Sequence, residues 1–200
     1  MPVHVDRVLT DFGMAMGIFA VDDMAGLDVA WRVRRAHPPF PPKERQPLVA
    51  DVLCEMARFG QKTSAGWYRY VDGRTPEPDA EVLAIIENRA HAAGIEQRVI
   101  SDAEIVDRLV LTLVNEGARV LEEGVALRAA DIDVIYLTGY GFPAFRGGPM
   151  FYADRRGLGE VLARIQAFHA QHGDRWRPAP LLERLARAGS TFRAHDARKS

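Results

Sequence analysis

The side chains with chemical reach are few and scattered along this chain. A histidine can act as a general base only where a carboxylate orients it inside a pocket. His4 and His195 lie near the ends, His37 borders a run of prolines, and His91, His169 and His172 fall at or near helix ends. There the carbonyl dipole is reason enough for an imidazole, so none of the six is expected to be catalytic. His169 and His172 share a helix face at i, i+3, but without a nearby acidic third ligand no metal site is expected. Cys54 is the single cysteine. It excludes an internal disulfide and any cysteine-based zinc site, and it fits a reducing compartment.

Three further features carry polar chemistry. Asn115-Glu116 is the most conspicuous polar pair on a helix, and it reads as a structural hydrogen bond that fixes helix register. Lys62, in Gly60-Gln61-Lys62-Thr63-Ser64, is a candidate phosphate contact. Arg146 lies in a loop rich in glycine and proline, where a guanidinium can grip a phosphate or an acidic side chain. It can equally pin its loop to a neighbouring helix end, and both readings stay open. Gly141, Pro143, Gly147, Gly148 and Pro149 of that loop read as structural.

Composition sets the frame around these residues. The 200 residues carry 26 Lys+Arg against 27 Asp+Glu, a net charge of −1 that gives no reason to expect nucleic acid or a membrane surface as partner. Lysine is confined to positions 43, 62 and 199, against 23 arginines, which reads as coding bias. Hydrophobic residues at 48% argue for a globular chain. No apolar run approaches the roughly 20 residues of a spanning helix, and the start, Met-Pro-Val-His-Val-Asp, is unlike a signal peptide. The expected location is the cytoplasm.

Helical periodicity positions the candidates. Val5, Val8, Leu9 and Phe12 face one way on an opening helix that stops at Gly13. A second helix is expected through Met24, Leu27 and Trp31, ending before the prolines that follow His37. Pro47 opens a third, through Leu48, Val52, Leu53 and Met56, with Gly60 as its stop. Trp67 to Tyr70 alternates like a short extended piece, and residues 75–78 read as a linker. A helix through Val82 and Ile86 follows. The capping box Ser101-Asp102-Ala103-Glu104 then opens a long helix to about Gly124, whose expected face is Ile105, Leu109, Thr112, Leu113, Glu116, Val120 and Glu123. Helices over 131–137, through Leu158 to Phe168 and after Pro180 complete the chain, and residues 191–200 read as a frayed tail.

The chain also repeats itself. Asp23 to Leu27 matches Asp154 to Leu158 at an offset of 131, Val5 to Val8 matches Ile132 to Ile135 at 127, and Ala57 to Gly60 matches Ala186 to Gly189 at 129. Three matches in one order indicate an internal duplication. The expected fold is all-α: two tandem helical copies packed as a pseudo-dimer. The first copy covers residues 1–74, without the leading helix that the second has. Residues 75–78 form the linker, 79–192 the second copy and 193–200 the tail. The missing helix should leave an apolar strip on the first copy, covered in part by the helix over 79–94 or used for self-association.

Phe12-Gly13-Met14-Ala15-Met16-Gly17-Ile18-Phe19, then Asp23 to Asp28 and Gly60 to Tyr68, resembles the C-terminal helical domain of 3-hydroxyacyl-CoA dehydrogenase. Asn115-Glu116, Glu122-Glu123-Gly124 and Gly141-Phe142-Pro143 with Arg146-Gly147-Gly148-Pro149 resemble the second copy of that domain in multifunctional fatty-acid oxidation enzymes. The resemblance implies a parent enzyme that oxidises 3-hydroxyacyl-CoA to 3-ketoacyl-CoA with NAD. In it, this region closes one side of an acyl-CoA cleft and supports assembly. It also implies that NAD and the catalytic pair belong to a Rossmann domain, with a hydratase domain on the same polypeptide, each joined in cis or in trans. No G-x-G-x-x-G after a strand occurs here, so no cofactor is expected on this chain, nor any dehydrogenase activity from it alone. On this reading Phe12, Gly13, Met14 and Met16 are candidates for the end of an acyl-chain cleft, with packing in the core as the alternative for the apolar ones, and Lys62 and Arg146 are its candidate polar contacts. Ala15 stands where the family usually has proline, a change expected to loosen that loop. The rival reading is a stand-alone helical interaction module, or the partner subunit of a split acyl-CoA enzyme.

Overall fold

The computed structural model describes residues 1–36 and 48–197. His37 and the prolines after it, Lys43, Pro47 and Lys199 lie outside these, and of Leu48 only the backbone is described. Among the described residues there are eleven α-helices and no sheet. Three isolated bridges, Gly60 with Ala65, Ala65 with Arg69 and Arg69 with Glu77, mark the extended piece. The chain divides into two compact units, residues 1–10 with 16–100 and residues 11–15 with 101–200.

The first unit holds α1 (Pro2–Phe12, through Thr10), α2 (Ile18–Ala25), α3 (Leu27–Ala36), α4 (Leu48–Glu55) and α5 (Ala80–Ala92). Its core gathers Leu27, Leu53, Cys54, Trp67, Tyr68, Tyr70 and Val82, with Ile85 and Ile86 of α5 packed against it. Burial, with Asp51 adding to it, pushes the Cys54 thiol up to about 11, which keeps it protonated and unreactive. Residues 75–78 do not part the chain as expected. Arg69 and Glu77 exchange backbone hydrogen bonds of 2.9 Å each, and Arg58 reaches Asp79 at 2.6 Å. Those bonds tie the stretch and α5 to the first unit, so the division falls after Ile100.

The second unit holds α6 (Asp102–Glu122), α7 (Ala129–Gly139), α8 (Pro149–Arg156), α9 (Leu158–His172), α10 (Pro180–Arg187) and α11 (Phe192–Asp196). The Ser101 hydroxyl accepts the Glu104 N–H at 3.2 Å, which starts α6 as the capping box requires. The buried face of α6 is the expected one only in part: Ile105 is buried, and Leu113 and Val120 pack against the core. Leu111, Val114, Ala118 and Leu121 join the core, while Thr112, Glu116 and Glu123 are exposed. Small residues turn the helix this way: a Cβ on Gly117 would lie 2.6 Å from the sulfur of Met150, so α8 comes close on that side. The expected tail is also partly ordered, because Thr191 caps α11 and Asp196 accepts the Ala129 N–H at 2.9 Å.

The duplication reappears as repeated hydrogen bonding. Asp6 on α1 accepts the Phe19 and Ala20 N–H groups at 2.9 and 3.0 Å, and Asp133 on α7 accepts those of Met150 and Phe151 at 2.7 and 3.0 Å. Each carboxylate satisfies orphan donors at the start of the next helix. Asp23 on α2 then accepts from Trp67 and Tyr68, and Asp154 on α8 from Phe192 and Arg193. The single helix expected through Met24, Leu27 and Trp31 is broken at Gly26, with φ +97°, as the chain breaks at Gly157, with φ +94°. The third match corrects the alignment. Helix α4 ends at Glu55, five residues before the expected stop, with Ala57 at φ 58° and the Arg58 N–H on the Leu53 carbonyl. Helix α10 ends with Gly189 at φ 58° and the Ser190 N–H on the Leu185 carbonyl. Ala57, not Gly60, is therefore the counterpart of Gly189.

Candidate functional site

The candidates gather best in the second unit, around the loop between α7 and α8. Gly141 turns the chain, Pro143 leads into a 3-10 turn over Ala144–Arg146, and Gly147 and Gly148 hand it to Pro149 at the first position of α8. At Gly148, with φ +96°, a Cβ would overlap the Asp133 carboxylate. That close approach lets one acid hold the start of α8. Burial pushes Asp133 up to about 6 against the opposing pull of its two N–H donors, and burial raises Asp154 likewise.

Residues 11–15 complete this site. The Phe12 ring is buried with Phe142 and Val110 and meets Phe142 and Tyr152 edge-on, with centroids at 5.8 and 5.6 Å. Arg146 takes the pinning role that its loop position allowed. Its Nε donates to the Phe12 carbonyl at 2.8 Å and its guanidinium lies 4.0 Å above the Phe12 ring. Met14 packs beside them. Ala15 does not loosen the loop: its N–H donates to the Gly141 carbonyl at 3.0 Å, a bond that proline has no hydrogen to make.

An open depression of about 390 Å³ lies beside this loop, lined by Phe145, Arg146, Phe151, Tyr152, Arg155 and Arg156. Arg156 is bound to Asp107 and, at 2.7 Å, to Glu160, while Arg164 reaches Asp107 at 2.8 Å. Asp107 is a buried acid on α6 that sequence reasoning passed over, since nothing local marks an aspartate whose partners lie 49 and 57 residues away.

The other predicted residues go elsewhere. Met16 and Lys62 belong to the first unit, where Met16 is exposed and Lys62 pairs with Asp28. Asn115 is structural, but its partner is a loop rather than a helix: it donates to the Arg177 carbonyl at 3.0 Å and accepts from Ala179 at 2.8 Å. Glu116 is exposed and pairs with Arg119. His169 has Asp174 at 3.4 Å and His172 has Arg108 at 2.7 Å, and among the described residues no three metal-ligating side chains converge. The first unit also buries a network the sequence did not announce. The Tyr68 hydroxyl donates to Asp6 and that of Tyr70 to Asp23, both at 2.9 Å. Burial and the adjoining carboxylates push both phenols well above their ordinary range.

The glycine-rich loop does not fit a dinucleotide. A pyrophosphate needs free N–H groups at a helix start. Those of Met150 and Phe151 are already held by Asp133, a negative charge where the phosphate would sit.

Fold and site together define an all-helical protein of two tandem units, each framed by a corresponding pair of aspartates that accept backbone N–H groups. The model of the 3-hydroxyacyl-CoA dehydrogenase C-terminal domain matches residues 1–70 and 105–198, and the chain belongs to that family. A peroxisomal bifunctional enzyme of Danio rerio is 44% identical over 94% of the chain, and the human one 42% identical over the same share. A peroxisomal fatty acid β-oxidation multifunctional protein of Oryza sativa is 32% identical over 97% of the chain. The chain spans less than a third of these relatives' length, 29%, 28% and 27% in turn. Among solved structures, the dehydrogenase part of a multifunctional enzyme from C. elegans superposes with a TM-score of 0.73 at 28% identity, covering 92% of this chain and 42% of that one. The peroxisomal and glyoxysomal names of the relatives overturn the cytoplasmic expectation. A lone thiol and the lack of a long apolar run are compatible with several compartments, so those signals could not select one. No helix among the described residues is long and apolar enough to cross a membrane.

Proposed function

We propose that this chain is the C-terminal helical part of a multifunctional enzyme of fatty-acid β-oxidation. There it walls one side of the acyl-CoA cleft and supports assembly for the NAD-dependent oxidation of 3-hydroxyacyl-CoA to 3-ketoacyl-CoA. NAD and the proton-transferring pair would belong to a nucleotide-binding domain elsewhere in the same polypeptide, with a hydratase part beside it. The setting is that of the named relatives, the peroxisome. Phe12, Gly13, Met14 and Met16 remain the candidates for the end of the acyl channel, and Lys62 a candidate contact for its polar end.

One observation carries this reading: the use made of four buried or half-buried acids. Asp6, Asp23, Asp133 and Asp154 each accept two backbone N–H groups. Carboxylates committed in this way hold a scaffold and are poorly placed to shuttle protons. The test is a chimera in which this chain replaces the matching region of the Danio rerio enzyme. The chimera should oxidise 3-hydroxybutyryl-CoA with NAD, while the same enzyme cut before that region should not. Turnover of acetoacetyl-CoA and NADH by the isolated chain, above buffer, would overturn the proposal.

A further inference from the structure

The depression beside the α7–α8 loop has more than its share of exposed rings and unanswered charge. Phe145 is 78% exposed and Phe151 45%, values uncommon for aromatic side chains without a surface to meet. Neither ring stands loose. Phe145 is seated over Gly13, where a Cβ would come within 2.8 Å of the ring, and Phe151 lies against Gly147, where a Cβ would overlap it. Both glycines thus serve to place rings at the surface. Between them stand three guanidinium groups. Arg156 is neutralised by Asp107 and Glu160. Arg146 has neutral partners, the Phe12 carbonyl and the Phe12 and Phe145 rings, and Arg155 has no ionic partner among the described residues. The site thus offers flat apolar faces next to two positive charges that no carboxylate among the described residues answers.

We propose that this depression binds the phosphorylated adenosine end of a nucleotide, the base stacking on Phe145 and Phe151 and the phosphate held by Arg155 and Arg146. Its volume of about 390 Å³ is within the range of small-ligand sites. Aromatic faces flanked by arginine suit a purine phosphate, because stacking and ion pairing then act on one rigid ligand. Coenzyme A and free adenine nucleotides share this chemistry. The site lies wholly in the second unit and does not depend on the reaction of the parent enzyme, so the chimera assay and the binding assay can fail independently.

Equilibrium dialysis of the full chain against labelled ADP tests it, with unlabelled CoA, adenosine and inorganic phosphate as competitors. Arg155→Ala and Phe145→Ala alter exposed side chains and should each weaken ADP binding by about tenfold, while Arg89→Ala on α5 leaves it unchanged. CoA should displace ADP. If it does so at lower concentration, the natural source is the coenzyme, and if the two are equal a free nucleotide suffices; either supports the site. Failure of both ADP and CoA to bind at millimolar concentration would overturn it, as would binding that neither substitution alters. Displacement by inorganic phosphate as effective as by ADP would remove the rings from the account and overturn it too.

Discussion

Helices α2 and α8 occupy the same place in the two copies and have been put to opposite surface uses. Each begins on a carboxylate from the helix before it, each carries an aspartate that caps a later segment, and each ends at a glycine of nearly identical backbone geometry. Yet α2 exposes Ile18, Val21 and Met24, whereas α8 exposes Phe151 with Arg155, and Met24 and Arg155 both stand two residues before their closing glycine. The duplicated frame resides in buried acids and glycines, which leaves the outward positions free to diverge. An apolar face suits an acyl chain and a mixed aromatic and basic face suits a phosphate ester.

The comparison can be broken most sharply at the glycines under the caps. Gly148→Ala places a Cβ into the Asp133 carboxylate at a positive φ and should cost about 3 kcal/mol or more in urea unfolding. Gly17→Ala meets Asp6 in the same way, but its φ of −73° is ordinary. It should cost about 1 kcal/mol less. Removal of the acids comes next. Asp6→Ala orphans two N–H groups and the Tyr68 hydroxyl and should cost about 3 kcal/mol, against about 2 for Asp133→Ala at neutral pH. The Asp133 effect should also vary with pH. Because burial raises Asp133 to about 6 in the folded state, the fold binds that proton more tightly than the unfolded chain, whose carboxylate titrates near 4. The stability gained from protonation is complete below about pH 4 and lost as pH rises through about 6. The penalty of Asp133→Ala should therefore be larger by about 1–2 kcal/mol at pH 4.5 than at pH 7, and a flat profile would contradict the burial argument. The smallest effect is a gain. Ala57→Gly gives the end of α4 the residue that α10 already uses and should stabilise the first unit by about 1 kcal/mol.

How much of this was legible in the sequence depends on how local each signal is. The α7–α8 loop could be read because its glycines and prolines are dense and adjacent, and Ser101 with Glu104 announced α6 within four residues. The caps could not. Asp6 and Asp133 sit on largely apolar helices, and their donors lie 13 and 17 residues on. The break at Gly26 hid inside an unbroken helical period. The buried face of α6 was misread in part because counting large apolar residues overlooks Gly117 and Ala118, the positions that admit a neighbour most closely. Of the cleft candidates, Phe12 and Arg146 come together in the second unit, while Met16 and Lys62 belong to the first, a division no local signal marks.

The bond from Arg146 to Phe12 spans 134 positions of sequence, and both of its ends lie within the second unit. That unit cannot reach its final form as an autonomous C-terminal fragment. Five residues must await a loop made more than a hundred positions later, which places closure of this ring late in folding and makes it sensitive to anything that lengthens the intervening chain.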